Sequence, residues 1–375
     1  MRPTSSNLLV VSWTRIKCKQ DRNMPLVANT DLPSFTRLRS EGETILQKDE
    51  AVRQDIRELH IGLLNMMPGK ALEATERQFF RLIGESNQIA QFYVHPFTLE
   101  GLERDDNAQA HIDRYYKSFS QIKEEGLDAI IVSGATPGPT LAESPFWEPL
   151  IEVIDWSVEN VTSILCSCLA SHAVLQFRYG IERRPLTEKR WGVYSHRVSD
   201  RSHPLVTGVN TRFDVPHSRF NQVDASQFDA KGLKVLVESE EGDVHLAVSE
   251  DGFRIVFFQG HPEYDTISLL KEYKREVGRY INGETSVYPA LPENYFSLRN
   301  KAILEEYRDR LDTALSSDAP APEFPESLLT PGLDNTWHDS GEAVINNWIG
   351  KVYQLTHLDR KIPFREGIDP GNPLA

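Results

Sequence analysis

Apolar residues along this chain gather into short runs, and longer mixed stretches separate them. Leu59-His60-Ile61-Gly62-Leu63-Leu64-Asn65 is the first sharp run, closed by the turn signal Met66-Met67-Pro68-Gly69. Its length and its flanks predict a buried strand. Ala71 to Ile83 follows with helical spacing, placing Leu72, Phe79, Phe80 and Leu82 on one side. Gln91-Phe92-Tyr93-Val94 reads as a second strand, Leu127 to Val132 as a third and Val161 to Cys166 as a fourth. Trp147 to Val158 and Leu169 to Phe177 read as helices. Strands alternating with crossovers long enough to hold helices predict βαβ units. The fold class is therefore α/β, with a doubly wound, mostly parallel sheet flanked by helices. Runs that are apolar at consecutive positions suit strands covered on both faces.

The second half changes character. Leu233 to Val237, Val244 to Val248 and Arg254 to Phe258 are apolar runs joined by short turns, with Glu250-Asp251-Gly252 suited to a hairpin. The sheet is expected to finish in antiparallel or mixed strands. Helices are expected at about 266–280, 297–315 and 341–355, and the Pro-, Ala- and Ser-rich stretch Ser316 to Pro325 as an exposed loop. Ahead of Glu58 there is little periodicity. The expected division is a disordered extension over 1–23, an N-terminal arm over 24–57, one catalytic α/β domain over 58–357 and a tail over 358–375. The extension is basic, with Arg2, Arg15, Lys17, Lys19 and Arg22, and a mobile segment is the plain reading of it.

Composition narrows the function classes. The formal charge of −14 argues against a nucleic-acid binder, which needs a basic footprint. Three cysteines, Cys18, Cys166 and Cys168, make no disulfide framework and suit a reducing cytoplasm. Cys166-Ser167-Cys168 has neither the spacing nor the second pair of a zinc site, so no metal is expected. No run approaches the roughly 18 apolar residues that span a bilayer, and no membrane partner is expected.

The chemistry is expected where strands end. Cys168 lies where an apolar strand meets a helix, at the edge where a parallel sheet collects its ligands. A helix start favours a thiolate, and backbone N–H groups of that turn, at Leu169, can receive an oxyanion. Taken alone, a cysteine at this place reads more simply as a small buried apolar residue, and Cys166 inside the strand does so more strongly. Gln259-Gly260-His261-Pro262-Glu263-Tyr264-Asp265 follows another strand, with His261 and Glu263 two apart. A carboxylate beside an imidazole fixes its tautomer and supports its cation, so a Cys168–His261–Glu263 set becomes the leading reading. The loop Gly134-Ala135-Thr136-Pro137-Gly138 follows a third strand, and its glycines permit close approach of a ligand. It lacks nucleotide-binding spacing, and an ordinary turn remains open. Lys189, Arg219 and Arg275 could bind carboxylates, but each alone reads as a solvated surface charge. From these residues a hydrolase or glutamine amidotransferase, and a non-catalytic binding protein, stay open beside an acyltransferase.

The motifs in order resemble the homoserine O-succinyltransferase family. They are Gly62-Leu63-Leu64-Asn65 with Met67-Pro68, Thr75-Glu76 with Gln78-Phe79, Gly134-Ala135, Asn160-Val161-Thr162-Ser163 before Cys168, and Tyr179-Gly180-Ile181. Thr187-Glu188-Lys189 with Gly192-Val193-Tyr194, Pro216-His217-Ser218-Arg219, Gly260 to Asp265 and Asn347-Trp348 continue the series. The resemblance implies a fold similar to class I glutamine amidotransferases. It implies an acyl thioester on Cys168, His261 as proton acceptor and Glu263 as its partner, with Lys189, Ser218 and Arg275 binding substrate. Gly138 falls at the position linked to acyl choice, where glycine goes with succinyl and glutamate with acetyl. Implied partners are L-homoserine and succinyl-CoA, or acetyl-CoA, as co-substrates with no cofactor, in a cytoplasmic homodimer of methionine biosynthesis.

Overall fold

The computed structural model describes residues 24–43, 45–54, 56–86, 90–135 and 140–375. The expected extension over 1–23, and Gly138 with its neighbours, lie outside the described residues. The strands are β1 (Met24–Ala28), β2 (Ile45–Gln47), β3 (Glu58–Met66), β4 (Gln91–Phe97), β5 (Ala129–Ala135), β6 (Ser163–Ser167), β7 (Arg184–Val198), β8 (Arg212–Gln222), β9 (Lys234–Ser239), β10 (Val244–Val248) and β11 (Ile255–Phe258). They form one sheet in the order β2-β1-β4-β3-β5-β6-β11-β10-β9-β7-β8. From β2 to β11 every pairing is parallel, and from β11 to β8 every pairing is antiparallel. The doubly wound reading with a mixed second half is what the structure shows.

Helices cover both faces. Gly69–Ser86 and His338–Leu355 bury Phe79, Phe80, Ile83, Val344, Ile345 and Trp348 against one face. Trp147–Asn160 and Leu169–Tyr179 bury Leu150, Ile154, Ala173 and Val174 against the other. Each such fully buried large apolar side chain stabilises the fold by about 1.5–3 kcal/mol. Trp348 also donates its indole N–H to Ser163 Oγ at 2.8 Å, so its one polar atom is not left bare. Because β3, β5, β6 and β11 run parallel, their ends meet at one edge: Met67, Ala135, Cys168, and Gln259 to His261. This edge is the ligand-collecting edge of an open α/β sheet.

Three departures from the sequence reading stand out. Residues 24–57 form β1, the helix Pro33–Ser40 and β2, and extend the sheet through β4 rather than hanging free. Their buried side chains, Leu26, Leu32, Phe35, Leu38 and Ile45, are spread too thinly to give a period. Arg184 to Val198 pairs with β8 as a long ribbon that the helices Ser268–Ile281 and Leu298–Ser316 cover, Trp191 and Val193 packing with Leu269, Tyr273 and Tyr307. Gly192, at φ +149°, lies so close to the chain that a Cβ there would stand 2.3 Å from the Glu293 carbonyl oxygen. Finally, residues 358–375 hold neither helix nor strand, yet Phe364 is buried and the Pro363 carbonyl accepts from Thr162 Oγ1. The tail thus packs back on the sheet core.

Candidate active site

Cys168 caps the helix Leu169–Tyr179 with φ 52° and ψ −111°, a left-handed backbone that a side-chain-bearing residue rarely takes. Such a strained corner lifts the side chain out of the sheet end and is a mark of nucleophile turns. Its amide donates to the Phe258 carbonyl at 2.7 Å, and the Ser171 hydroxyl reaches the same carbonyl at 2.8 Å. The end of β11 therefore fixes the cysteine relative to the residues that follow Phe258. Cys168 is partly accessible, whereas Cys166 is buried and burial pushes its thiol up. The bland reading of Cys166 holds. Leu169 is the first helical residue, so its N–H has no intrahelical acceptor. A Cβ on Gly134 would stand 3.8 Å from Cys168 Cβ and 3.8 Å from Met67 Sδ, which places Gly134 against the nucleophile.

His261 sits two residues beyond Gln259 with its amide on the Pro216 carbonyl at 2.9 Å. Its Nδ1 hydrogen-bonds Glu263 Oε1 at 2.8 Å, and its ring stacks on Tyr264 at a centroid distance of 4.2 Å. Nε2 makes no hydrogen bond among the described residues. Burial works against a charged His261, but Cys168 and then Glu263 outweigh it and hold the ring well above the ordinary histidine value. Glu263 in turn has one oxygen on His261 and a longer contact from Ser167 Oγ at 3.4 Å. Cys168 after β6 and the hydrogen-bonded His261–Glu263 pair after β11 thus stand at the ends of two neighbouring parallel strands.

Lys189 and Ser218 converge on a residue the sequence reading did not single out. Glu272 Oε2 accepts from Ser218 Oγ at 2.6 Å and Lys189 Nζ at 3.2 Å, and Oε1 accepts from Tyr264 O–H at 2.7 Å. Burial pushes this carboxyl up, but Lys189 and the two hydroxyl donors more than offset it and hold it below the usual carboxylate range. Burial also lowers the Lys189 ammonium, against the pull of Glu272. Through Tyr264 this cluster touches the His261 ring. The signal for Glu272 is weak, one more glutamate on an amphipathic helix; only the β7–β8 ribbon folding over it makes it half-buried. Arg275, one turn further, stands at the surface and pairs with Glu276 at 3.0 Å. It is near enough to repel Lys189 but does not join the Glu272 cluster.

Arg219 corrects an expectation: it is no solvated surface charge. Its side chain is 2% exposed and bonds Asp243 Oδ1 at 2.9 Å, Gln222 and His217 Nδ1. Arginine only donates, so His217 accepts on Nδ1 and must donate from Nε2 to His196 Nε2 at 3.2 Å. His196 then donates from Nδ1 to the Tyr194 carbonyl at 2.9 Å. This buried chain underlies the His261 loop. A Cβ on Gly260 would stand 2.8 Å from His217 Cε1, 2.8 Å from His245 Nδ1 and 2.4 Å from Val215 Cγ1.

Comparison with known proteins now decides the family. A model described as homoserine O-succinyltransferase matches residues 25–358. The chain belongs to the homoserine O-succinyltransferase family. Among curated members, the homoserine O-succinyltransferase of Nitrosococcus oceani is 66% identical over 94% of this chain and 99% of its own. That of Methylococcus capsulatus is 61% identical over 94% of this chain and 99% of its own, and that of Cardiobacterium hominis 51% over the same shares. A solved glutamine amidotransferase from Thermotoga maritima is similar at 13% identity and a TM-score of 0.42, over 78% of this chain and 97% of that one. The family is one of acyltransferases. No helix among the described residues is long and apolar enough to cross a membrane.

Proposed function

We propose that this enzyme moves a succinyl group from succinyl-CoA to the hydroxyl of L-homoserine through a thioester on Cys168. The observation that carries the reading is a strained, partly accessible cysteine with a buried histidine whose hold on a proton is strengthened by it and by Glu263. His261 takes the thiol proton, and the thiolate attacks the acyl-CoA carbonyl. The oxyanion forms beside the Leu169 N–H and the Gly134 loop. CoA leaves as its thiol, with the proton from His261. In the second half, neutral His261 takes the homoserine hydroxyl proton, the alkoxide attacks the enzyme thioester, and O-succinylhomoserine leaves with Cys168 restored. Glu263 keeps Nδ1 protonated throughout, so Nε2 is the nitrogen that exchanges protons.

The Glu272 cluster supports an amino-acid acceptor. A homoserine carries an ammonium and a carboxylate beside its hydroxyl, and Glu272 and Lys189 offer the opposite charges in one half-buried place. Arg275 then acts as an outer cation for the carboxylate. Acyl-CoA is a co-substrate and no resident cofactor is needed. The setting is cytoplasmic methionine biosynthesis, with the chain acting as a homodimer and Gly138 leaving room for the succinyl chain. The experiment is CoA release from succinyl-CoA followed with and without L-homoserine. A burst no larger than the enzyme concentration without homoserine, and steady turnover with it, is expected. Steady homoserine-independent release would mark a hydrolase instead.

A further inference from the structure

Two cavities flank the edge on which Cys168 stands, and they differ in charge. One, of about 460 Å³, lies beside Glu263 and Tyr264 and is lined by Glu41, Glu43, Glu85 and Asp265 against Arg81 and His338. Arg81 is already bonded to Glu41 and Asp265, so this cavity repels an anion. The other, of about 610 Å³, lies between the end of β4 and the helices Asp106–Tyr115, Phe119–Glu125 and Trp147–Asn160, with Arg104, Lys117 and Lys123 in its wall. Its carboxylates Glu100, Asp113 and Glu152 are all exposed, and Glu152 pairs with Lys123 at 3.0 Å. Arg104 bonds only uncharged oxygens, the carbonyls of Asn65, Met66 and Met67 and, at 3.0 Å, Thr98 Oγ1. Its buried Nε has no hydrogen-bond partner among the described residues.

Contacts tie the larger cavity to the nucleophile. Arg104 holds the Met67 carbonyl, and Gly134 fills the gap between Met67 and Cys168, since a Cβ on it would stand 3.8 Å from Met67 Sδ and 3.8 Å from Cys168 Cβ. The cavity opens where β4 ends, and Cys168 follows β6, with β3 and β5 between them. Strands lie about 4.8 Å apart, so the two places are separated by about 14 Å along the edge. An acyl-CoA carries its reacting carbonyl on a sulfur that the pantetheine arm joins to a diphosphate. That arm has about the chain length of four residues and spans about 14 Å when extended. Its amides need polar partners along the way, and its far end needs cations.

We infer that the larger cavity is the subsite for the coenzyme A portion of the donor. The pantetheine arm runs from Cys168 past Met67 and Arg104, and the diphosphate meets Lys117 and Lys123. This rests on Cys168 being the acylated residue. Lys117 and Lys123 are now paired with Glu125 and Glu152, which are exposed. Pairs of that kind contribute little to stability, so a diphosphate can take the place of the carboxylates. The Glu272 cluster belongs to the β7–β8 side of Cys168, whereas this cavity belongs to the β4 side. Donor and acceptor therefore reach the nucleophile from opposite directions along the sheet.

The test compares two donors, succinyl-CoA and the succinyl thioester of N-acetylcysteamine, which keeps the reacting end and lacks the diphosphate and nucleotide. Two variants are used: Ser120→Trp, which fills the cavity from its wall, and the double change Lys117→Gln with Lys123→Gln. Each should lower kcat/KM for succinyl-CoA by on the order of 10-fold or more, mostly through KM, and leave the truncated donor within about threefold. If both donors fall together, these residues support the nucleophile or the fold and the inference is wrong. It is equally wrong if succinyl-CoA turnover is unchanged in both variants. Peptide mass of the unaltered enzyme after exposure to each donor separates the two levels. A Cys168 adduct from both donors, with no discrimination in the variants, removes the cavity assignment alone, whereas no adduct on Cys168 from either removes the reading beneath it.

Discussion

Three side chains meet on Glu272, and this half-buried carboxylate changes what the site can recognise. Ser218 and Lys189 are not simply two ligands for a substrate; they also hold Glu272 ionised inside the protein. Removing its charge leaves the half-buried Lys189 without a counter-ion, while Cys168 and His261 keep their own contacts. Glu272→Gln should therefore raise KM for homoserine by on the order of 10-fold or more, with the donor half-reaction within a few-fold of normal. Rapid-quench measurement of CoA release without acceptor checks the second part. An equal loss in both half-reactions would place Glu272 in the general support of His261 through Tyr264.

Among the elements, the β7–β8 ribbon and the loop after β11 decide the geometry, and they differ in how legible they were. Strands β3, β5, β6 and β11 and six of the helices stand out in sequence because their apolar residues are dense or regularly spaced. Cys168, His261 and Glu263 were readable for the same reason: each follows a dense apolar strand. The ribbon was not. Its first half, Arg184 to Arg190, is largely exposed and polar, and the burial of Lys189 and Arg219 comes from segments far away in sequence. Helices Asp106–Tyr115 and Phe119–Glu125 were missed too; their clearest signals are the caps Asp105 and Ser118, which accept from Ala108 and Gln121 amides. The Gly260 contact is likewise invisible until β8 and β10 are in place. Gly260→Ala should cost about 1–3 kcal/mol by overpacking against Val215, His217 and His245. It should also depress kcat, because His261 is the next residue. Thermal unfolding and turnover measured on the same preparation check this, and an unchanged Tm would show that the histidine cluster yields freely.

At the scale of the whole molecule, the buried neutral histidines set an acid limit. His172 and His196 are each lowered by burial from 6.5 to about 4. The unfolded chain therefore binds more protons than the folded one between roughly pH 6.5 and pH 4, and stability falls as pH falls through that window. Glu272, held below its ordinary value, adds a loss in the same direction at the acid end. The Tm should decline steadily from pH 7 to pH 4.5, and a flat profile would mean that these rings are protonated in the folded state. The central claim is narrower and can be met directly. Mix the enzyme with succinyl-CoA alone, quench in acid, and locate the adduct by peptide mass. The account predicts one succinyl group on Cys168, none on Cys166, and its loss on adding L-homoserine. An adduct elsewhere, or full turnover by Cys168→Ala, would contradict it.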